Sequence, residues 1–303
     1  MRVSQIEMAK GGPQVSRLAL GFWRLAEWGM SDAKLLDFIY ASLDLGVTTF
    51  DHADVYGDHT CQELFGRALA LEPALRQKMQ LVTKFGIMLA SPNRPQHALK
   101  HYDTSRAHIM ASVEESLRTL RTDCIDLLLI HRPDVLMDPD EVAEAFASLR
   151  QAGKVLHFGV SNFTPSQFDL LASRLDFPLV TNQIEVSVLF LDLLHDGTVD
   201  QCLQRGIAPM VWSPLAGGRI FAEDSERPAR VRQALRSVGQ ELGGASLDQV
   251  ALAWLLNHPV RFVPILGSGK IERIRSAVGA EALHLSREQW FAIWSASTGT
   301  PVP

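Results

Sequence analysis

The chain is 303 residues long, 47% hydrophobic and 21% charged, with a formal net charge of −5 and a pI near 6.1. These ordinary globular values exclude a disordered, collagenous or disulfide-stapled protein, and with no basic field they favour a small-molecule partner over nucleic acid or an anionic membrane. Three scattered cysteines, Cys61, Cys124 and Cys202, form no C-x-x-C pair, no secretory leader opens the chain and no apolar run reaches membrane-spanning length, so a cytoplasmic location is expected.

Residues 3–20 read as two short strands turning at Gly11-Gly12-Pro13, and a strand at 18–21 opens the repeating part. Ser31 caps a helix with the stripe Leu35, Leu36, Ile39, Tyr40 and Leu43, which Gly46 closes. Thr48, Thr49 and Phe50 are β-formers and predict a short buried strand that breaks into a polar loop at Asp51. A strand over 80–84, a helical stripe at Ile109, Val113, Leu117 and Leu120, and a strand over 125–130 follow. Asp138-Pro139 and Thr164-Pro165 each join a cap to a proline at the first helical position, and strands at 155–160 and 179–184 come after those helices. The spacing then predicts a helix over 199–206, a strand over 207–212 and a partly helical polar segment over 223–236. A capping box at Ser246 and Gln249, a strand over 262–266 and helices from Ile271 and Ser286 complete the chain. Core strands near residues 20, 50, 82, 128, 158, 181, 210 and 264 alternate with helices, which predicts an α/β protein with a closed (β/α)8 TIM barrel in one domain, 1–303. No G-x-G-x-x-G follows a strand, so a Rossmann sheet would lack its phosphate loop.

Chemistry in such a barrel gathers at the C-terminal strand ends. Those ends offer Asp51 and Tyr56, Lys84, His131, Ser161 with Asn162, Gln183 with Glu185, Trp212 with Ser213, and the run Gly267-Ser268-Gly269-Lys270. Singly, each has a structural explanation: a loop cap, a half-buried aromatic, a solvated strand tip, a core histidine. Jointly they make chemical sense. A phenol of ordinary pKa, about 10, protonates a carbonyl better if a cation lowers that value; Lys84 can supply the charge and Asp51 can keep the lysine protonated. His131 can donate to the same carbonyl and orient it.

On these residues the chain resembles the aldo-keto reductases. The likeness rests on G-F-W at 21–23, D-x-A-x-x-Y at 51–56, Lys84, L-L-L-I-H at 127–131, G-V-S-N at 159–162, N-Q-x-E at 182–185, W-S-P-L-A at 212–216 and G-S-x-x-x-E-R-I at 267–274. It implies a barrel whose base the N-terminal hairpin closes, NADPH (NADP+ when oxidised) as cofactor, and reduction of an aldehyde or ketone. Tyr56 would be the proton donor, Lys84 and Asp51 would tune it, and His131 would orient the carbonyl. Carried over by position, Gly21, Phe22, Trp23 and Asp51 would border the cofactor, while Ser161, Asn162 and Gln183 would hold its carboxamide and Trp212 would stack on its ring. Ser213, Pro214, Leu215, Ala216 and Gly218 would meet the pyrophosphate, and Gly267, Ser268, Gly269, Lys270 and Arg273 the adenosine end. A lysine common in the family just before the serine is Gly267 here; Lys270 and Arg273 are the cations left to favour NADPH.

The connection from Phe85 to Asp103 is long enough to shape substrate access, and Trp23, Trp28 and Phe85 are candidate apolar walls of a pocket that includes Tyr56 and His131. Family habit implies a monomer. Two rival readings exist. A regulatory or sensor subunit of the same fold, as among potassium-channel β subunits, is disfavoured by the short stretch before the hairpin. A metal-dependent hydrolase would use Asp51, His52, His131 and His157, whose ligand spacing is unclear; no metal is expected.

Overall fold

The computed structural model describes residues 1–302. Its strands are β1 (Gln5–Glu7), β2 (Gln14–Ser16), β3 (Ala19–Gly21), β4 (Thr49–Asp51), β5 (Gln80–Phe85), β6 (Ile87–Met88) and β7 (His101–Tyr102), then β8 (Ile125–Ile130), β9 (Val155–Ser161), β10 (Leu179–Glu185), β11 (Met210–Trp212) and β12 (Val263–Leu266). Eight of them, β3, β4, β5, β8, β9, β10, β11 and β12, close in that order into a barrel, each paired in parallel with its neighbours. Helices lie between the strands, as in a (β/α)8 barrel, and the predicted fold is the one observed.

The antiparallel hairpin β1–β2 sits at the N-terminal ends of the barrel strands. The Ser16 amide donates to Thr49 Oγ1 at the start of β4, and the Ala208 amide, just ahead of β11, donates to the Met8 carbonyl. Met8, Ala9 and Val15 are buried with the barrel interior, so the hairpin closes this end. The opposite mouth is left for the strand tips.

Caps work as their side chains dictate. Ser31 accepts from the Lys34 amide, Asp138 from the amides of Asp140 and Glu141, and reciprocal capping boxes form at Thr164, Ser246 and Ser286. Two expected boundaries differ. The strand predicted over 207–212 shrinks to β11, because Pro209 has no N–H to give the ladder and contributes only its carbonyl, which accepts from Val263. The polar segment predicted over 223–236 is a helix, Glu226–Glu241, that continues well past that end. Pro228 does not break it, since first-turn donors lack intrahelical acceptors anyway, and Val231, Leu235 and Val238 are buried beneath it. The long connection after β5 is also not featureless: β6 and β7 pair as an antiparallel ribbon.

One close approach anchors the helix layer. Helix Cys61–Leu69 packs so tightly on helix Arg106–Leu120 that a Cβ on Gly66 would lie 1.9 Å from the Thr119 carbonyl oxygen. Beside it, Gln62 Nε2 donates to Thr83 Oγ1 of β5 and to Ser116 Oγ, tying both helices to the strand that carries Lys84. Gly66→Ala therefore has to push the helices apart, and it is expected to lower stability by about 2 kcal/mol or more. Urea denaturation followed by circular dichroism measures this.

Candidate active site

Strand periodicity decides which tip residues face the barrel mouth. In β4, Asp51 points inward, whereas Phe50 packs outward with Phe22 and Phe65. In β5, Lys84 points inward and Phe85 is fully buried against His108 and Phe146 of the helix layer. In β10, Gln183 points inward, Ile184 joins the core, and half-buried Glu185 returns to the mouth.

The centre is a fully buried ammonium. Lys84 Nζ lies 2.8 Å from each oxygen of Asp51, 2.8 Å from the His52 carbonyl and 2.9 Å from the Tyr56 hydroxyl oxygen. Gln183 Nε2 donates to Asp51 Oδ1 at 2.8 Å, extending the chain across the barrel. His131 stands edge-on to Tyr56, with ring centres 5.8 Å apart. The structure thus brings Asp51, Tyr56, Lys84 and His131 into one cleft from three strands and one loop.

The electrostatics differ from expectation at the phenol. Burial, with the Asp51 carboxylate beside it, holds the Tyr56 pKa well above its ordinary value. The expected lowering by Lys84 does not set the resting state, Arg132 being the cation that opposes the rise, and Tyr56 keeps its proton. Burial pulls Lys84 below the usual lysine range, opposed by its bidentate pair with Asp51. Burial, reinforced by Lys84, holds His131 well below its ordinary value, so its imidazole is neutral. The loop after β4 is strained: Gly57, Asp58 and His59 are consecutive left-handed residues. A side chain at Gly57 would strike Cys61 Sγ at 2.5 Å.

A polar line runs along the same mouth. Trp212 Nε1 donates to Asn162 Oδ1 (3.0 Å), Asn162 Nδ2 to Ser161 Oγ (2.7 Å), and Ser161 Oγ to the Gln183 carbonyl (2.9 Å). The loop Ser213, Pro214, Leu215, Ala216, Gly217 and Gly218 turns sharply, with positive φ at Ser213, Ala216, Gly217 and Gly218. Beyond β12, Gly267, Lys270 and Arg273 are exposed while Ser268 accepts from the Lys270 amide. Gly21 lies under the mouth, where a side chain would meet Ile265 at 2.7 Å.

Three expected contacts fall elsewhere. Phe85 cannot wall a pocket, because its side chain alternates with Lys84 and enters the helix layer. The Phe22 side chain is likewise buried, stacked on His52 at 4.7 Å, which leaves only its backbone near the cleft. Trp28 is wedged between Phe22, Phe38 and Gly269, so it braces the loop after β12. Trp23 is exposed at the rim. His52 faces away from Asp51, and His157 lies four residues before Ser161, toward the other end of β9, so the hydrolase constellation does not assemble.

Two groups escaped the sequence reading. Arg132, directly after His131, lies with its guanidinium 5.4 Å from the centre of the Trp212 ring. Asp54 sits inside the D-x-A-x-x-Y motif; its Oδ2 accepts from Ser112, its Oδ1 is buried without a partner, and burial pushes its pKa from 3.8 to about 7. The signal for Arg132 was its place at a strand tip; Asp54 had no signal short of the fold.

The model of the Aldo/keto reductase family matches residues 17–297. The chain belongs to that family. It is 56% identical over 290 residues to the uncharacterized oxidoreductase YcsN of Bacillus subtilis, covering 96% of this chain and 97% of that one. It is 42% identical to a 6-dehydroglucose reductase of Agrobacterium fabrum, covering 95% and 96% of the two. Among solved structures, the thermostable aldo-keto reductase Tm1743, in complex with epalrestat, superposes with a TM-score of 0.81 at 26% identity, covering 97% of this chain and 99% of that one. This aldo/keto reductase is accordingly an oxidoreductase, and no described helix is long and apolar enough to cross a membrane.

Asp54 generates a pH prediction for this family member. Its folded pKa lies above its unfolded value, so ionisation handicaps the folded state increasingly as pH rises from about 4 to about 7. Asp54→Asn, which keeps an acceptor for Ser112, is expected to gain stability relative to the parent through that window and then level off. Urea midpoints of both proteins at pH 4.5, 6 and 8 check it.

Proposed function

We propose that the protein is an NADPH-dependent carbonyl reductase in which Tyr56 is the proton donor. The observation that carries this is the hydrogen-bonded chain Gln183–Asp51–Lys84–Tyr56 beside a neutral His131 at the barrel mouth. A phenol kept protonated by burial holds the proton that a nascent alkoxide needs, and the ammonium 2.9 Å away stabilises the phenolate left behind. His131 donates to the carbonyl oxygen and orients it. Asp51 is a positioning residue: it keeps Lys84 charged against its burial. Solvent returns the proton to Tyr56.

The residues along the mouth suit a nicotinamide dinucleotide. The side-chain amides of Gln183 and Asn162 and the hydroxyl of Ser161 match a carboxamide, the half-buried Trp212 ring offers a stacking face, and the turn at 213–218 presents backbone to a pyrophosphate. Exposed Lys270 and Arg273 suit a 2′-phosphate. When bound there, the cofactor supplies the hydride that adds to the carbonyl carbon. The named substrate of the Agrobacterium relative puts sugar-derived aldehydes first in any panel. The cytoplasm and a monomeric state remain part of this proposal.

Tyr56→Phe is expected to lower kcat about 100-fold or more while leaving NADPH binding nearly intact, since only the proton is lost. Lys84→Met is similarly severe and leaves Asp51 buried without its cation, so a folding check accompanies it. Cofactor oxidation with an aldehyde panel, beside a fluorescence titration with NADPH, reads both; near-normal turnover by Tyr56→Phe overturns the assignment. Arg273→Ala should weaken NADPH about tenfold and NADH little. Equal weakening of both cofactors in the titration would remove the 2′-phosphate role.

A further inference from the structure

The cleft carries a cation that the reduction does not use. Arg132 follows His131 at the end of β8, half-buried, with its guanidinium over Trp212. Among the described residues it reaches no carboxylate within ion-pair distance, so its five N–H donors are available. Its charge is felt by Tyr56, Lys84 and His131, so it lies near the proton donor. Glu185 is the Cα partner of Trp212 in the β10–β11 pair and, by strand alternation, lies on the same inner face as Gln183. Glu185 is half-buried and feels Arg132 through space without bonding to it.

A donor set and an acceptor set therefore both neighbour Trp212, Arg132 over its ring and Glu185 as its strand partner. Asp51 and Lys84 cancel as an ion pair, Glu185 and Arg132 offset one another without bonding, and Arg219, which also acts on Glu185, is already paired with Glu223, so the cleft favours no net charge. A lone arginine would select an anionic substrate. Offset by a nearby carboxylate that it does not bond, it suits a neutral group that both accepts and donates hydrogen bonds, and a hydroxyl does both. We propose that Arg132 and Glu185 are specificity-determining residues that bind the hydroxyls next to the carbonyl of a neutral, polyhydroxylated aldehyde. This rests on the reductase reading and adds to it the residues that choose among carbonyl compounds. Burying their unmatched donors and acceptors against a plain alkyl aldehyde is the penalty that produces the selectivity.

The test compares kcat/KM for D-glyceraldehyde, propanal and succinic semialdehyde, with NADPH, in the parent, Arg132→Met and Glu185→Gln. The parent is expected to prefer D-glyceraldehyde over propanal about tenfold or more, mainly through KM, and each variant to lose about tenfold of that ratio. Glu185→Gln keeps volume and one acceptor, so a fold defect does not mimic the result. A parent that favours succinic semialdehyde, or shows no preference among the three, overturns the inference while leaving the reductase reading intact. Loss of NADPH affinity in parallel with activity in Arg132→Met also overturns it, by moving Arg132 to the cofactor. No turnover of any of the three by the parent overturns both readings.

Discussion

Everything at the barrel mouth depends on one buried ion pair, Lys84 with Asp51. The ammonium has no solvent access, and a lone charge in that position would neutralise itself or disrupt the fold. The pair holds because both carboxylate oxygens, a backbone carbonyl and a phenol all converge on three N–H donors. Gln183 then satisfies Asp51 from the far side of the barrel. Two adjacent strands and one distant strand are locked at their tips by this network, and Tyr56 takes its place from it.

The same pair sets the local electrostatics. Its ammonium adds to the burial that keeps His131 neutral, and its carboxylate adds to the burial that keeps Tyr56 protonated. Lys84 was expected to lower the phenol's pKa in the resting cleft, and burial with Asp51 wins instead. The lysine's contribution belongs to the moment the phenol loses its proton, when a cation at hydrogen-bond distance matters most. A dry cleft raises the cost of every unpaired charge and makes every matched one count for more.

The barrel was legible in the chain because its signals are local: capping serines, prolines at first helical positions, and apolar runs of strand length at regular intervals. Boundaries failed where one residue had a conditional meaning. Pro209 shortens β11 because its missing N–H falls in a ladder, whereas Pro228 is tolerated because its missing N–H falls in a first helical turn. The four candidate catalytic side chains were legible too, three as polar groups at strand tips and Tyr56 in the loop that follows one of them. Phe85 was misplaced beside the cleft because adjacency in sequence is opposition in a strand, so that next to an inward Lys84 comes an outward neighbour; Phe22, just past β3, was misplaced because its ring packs on His52 and Phe65, partners distant in the chain. Trp28 was misplaced for another reason, since its contact with Gly269 spans most of the chain.

By itself the sequence determined the alternating architecture, the caps and the roster of polar groups at the strand ends, because each of these follows from neighbours a few residues apart. Only the tertiary structure decided what those groups do to one another. Whether Tyr56 is acidic or stubbornly protonated, whether Asp54 is charged, and whether Arg132 stands over Trp212 or in solvent all depend on burial and on partners far away in the chain. Such properties are set by desolvation and by distances of a few ångströms, and those exist only once eight strands have closed.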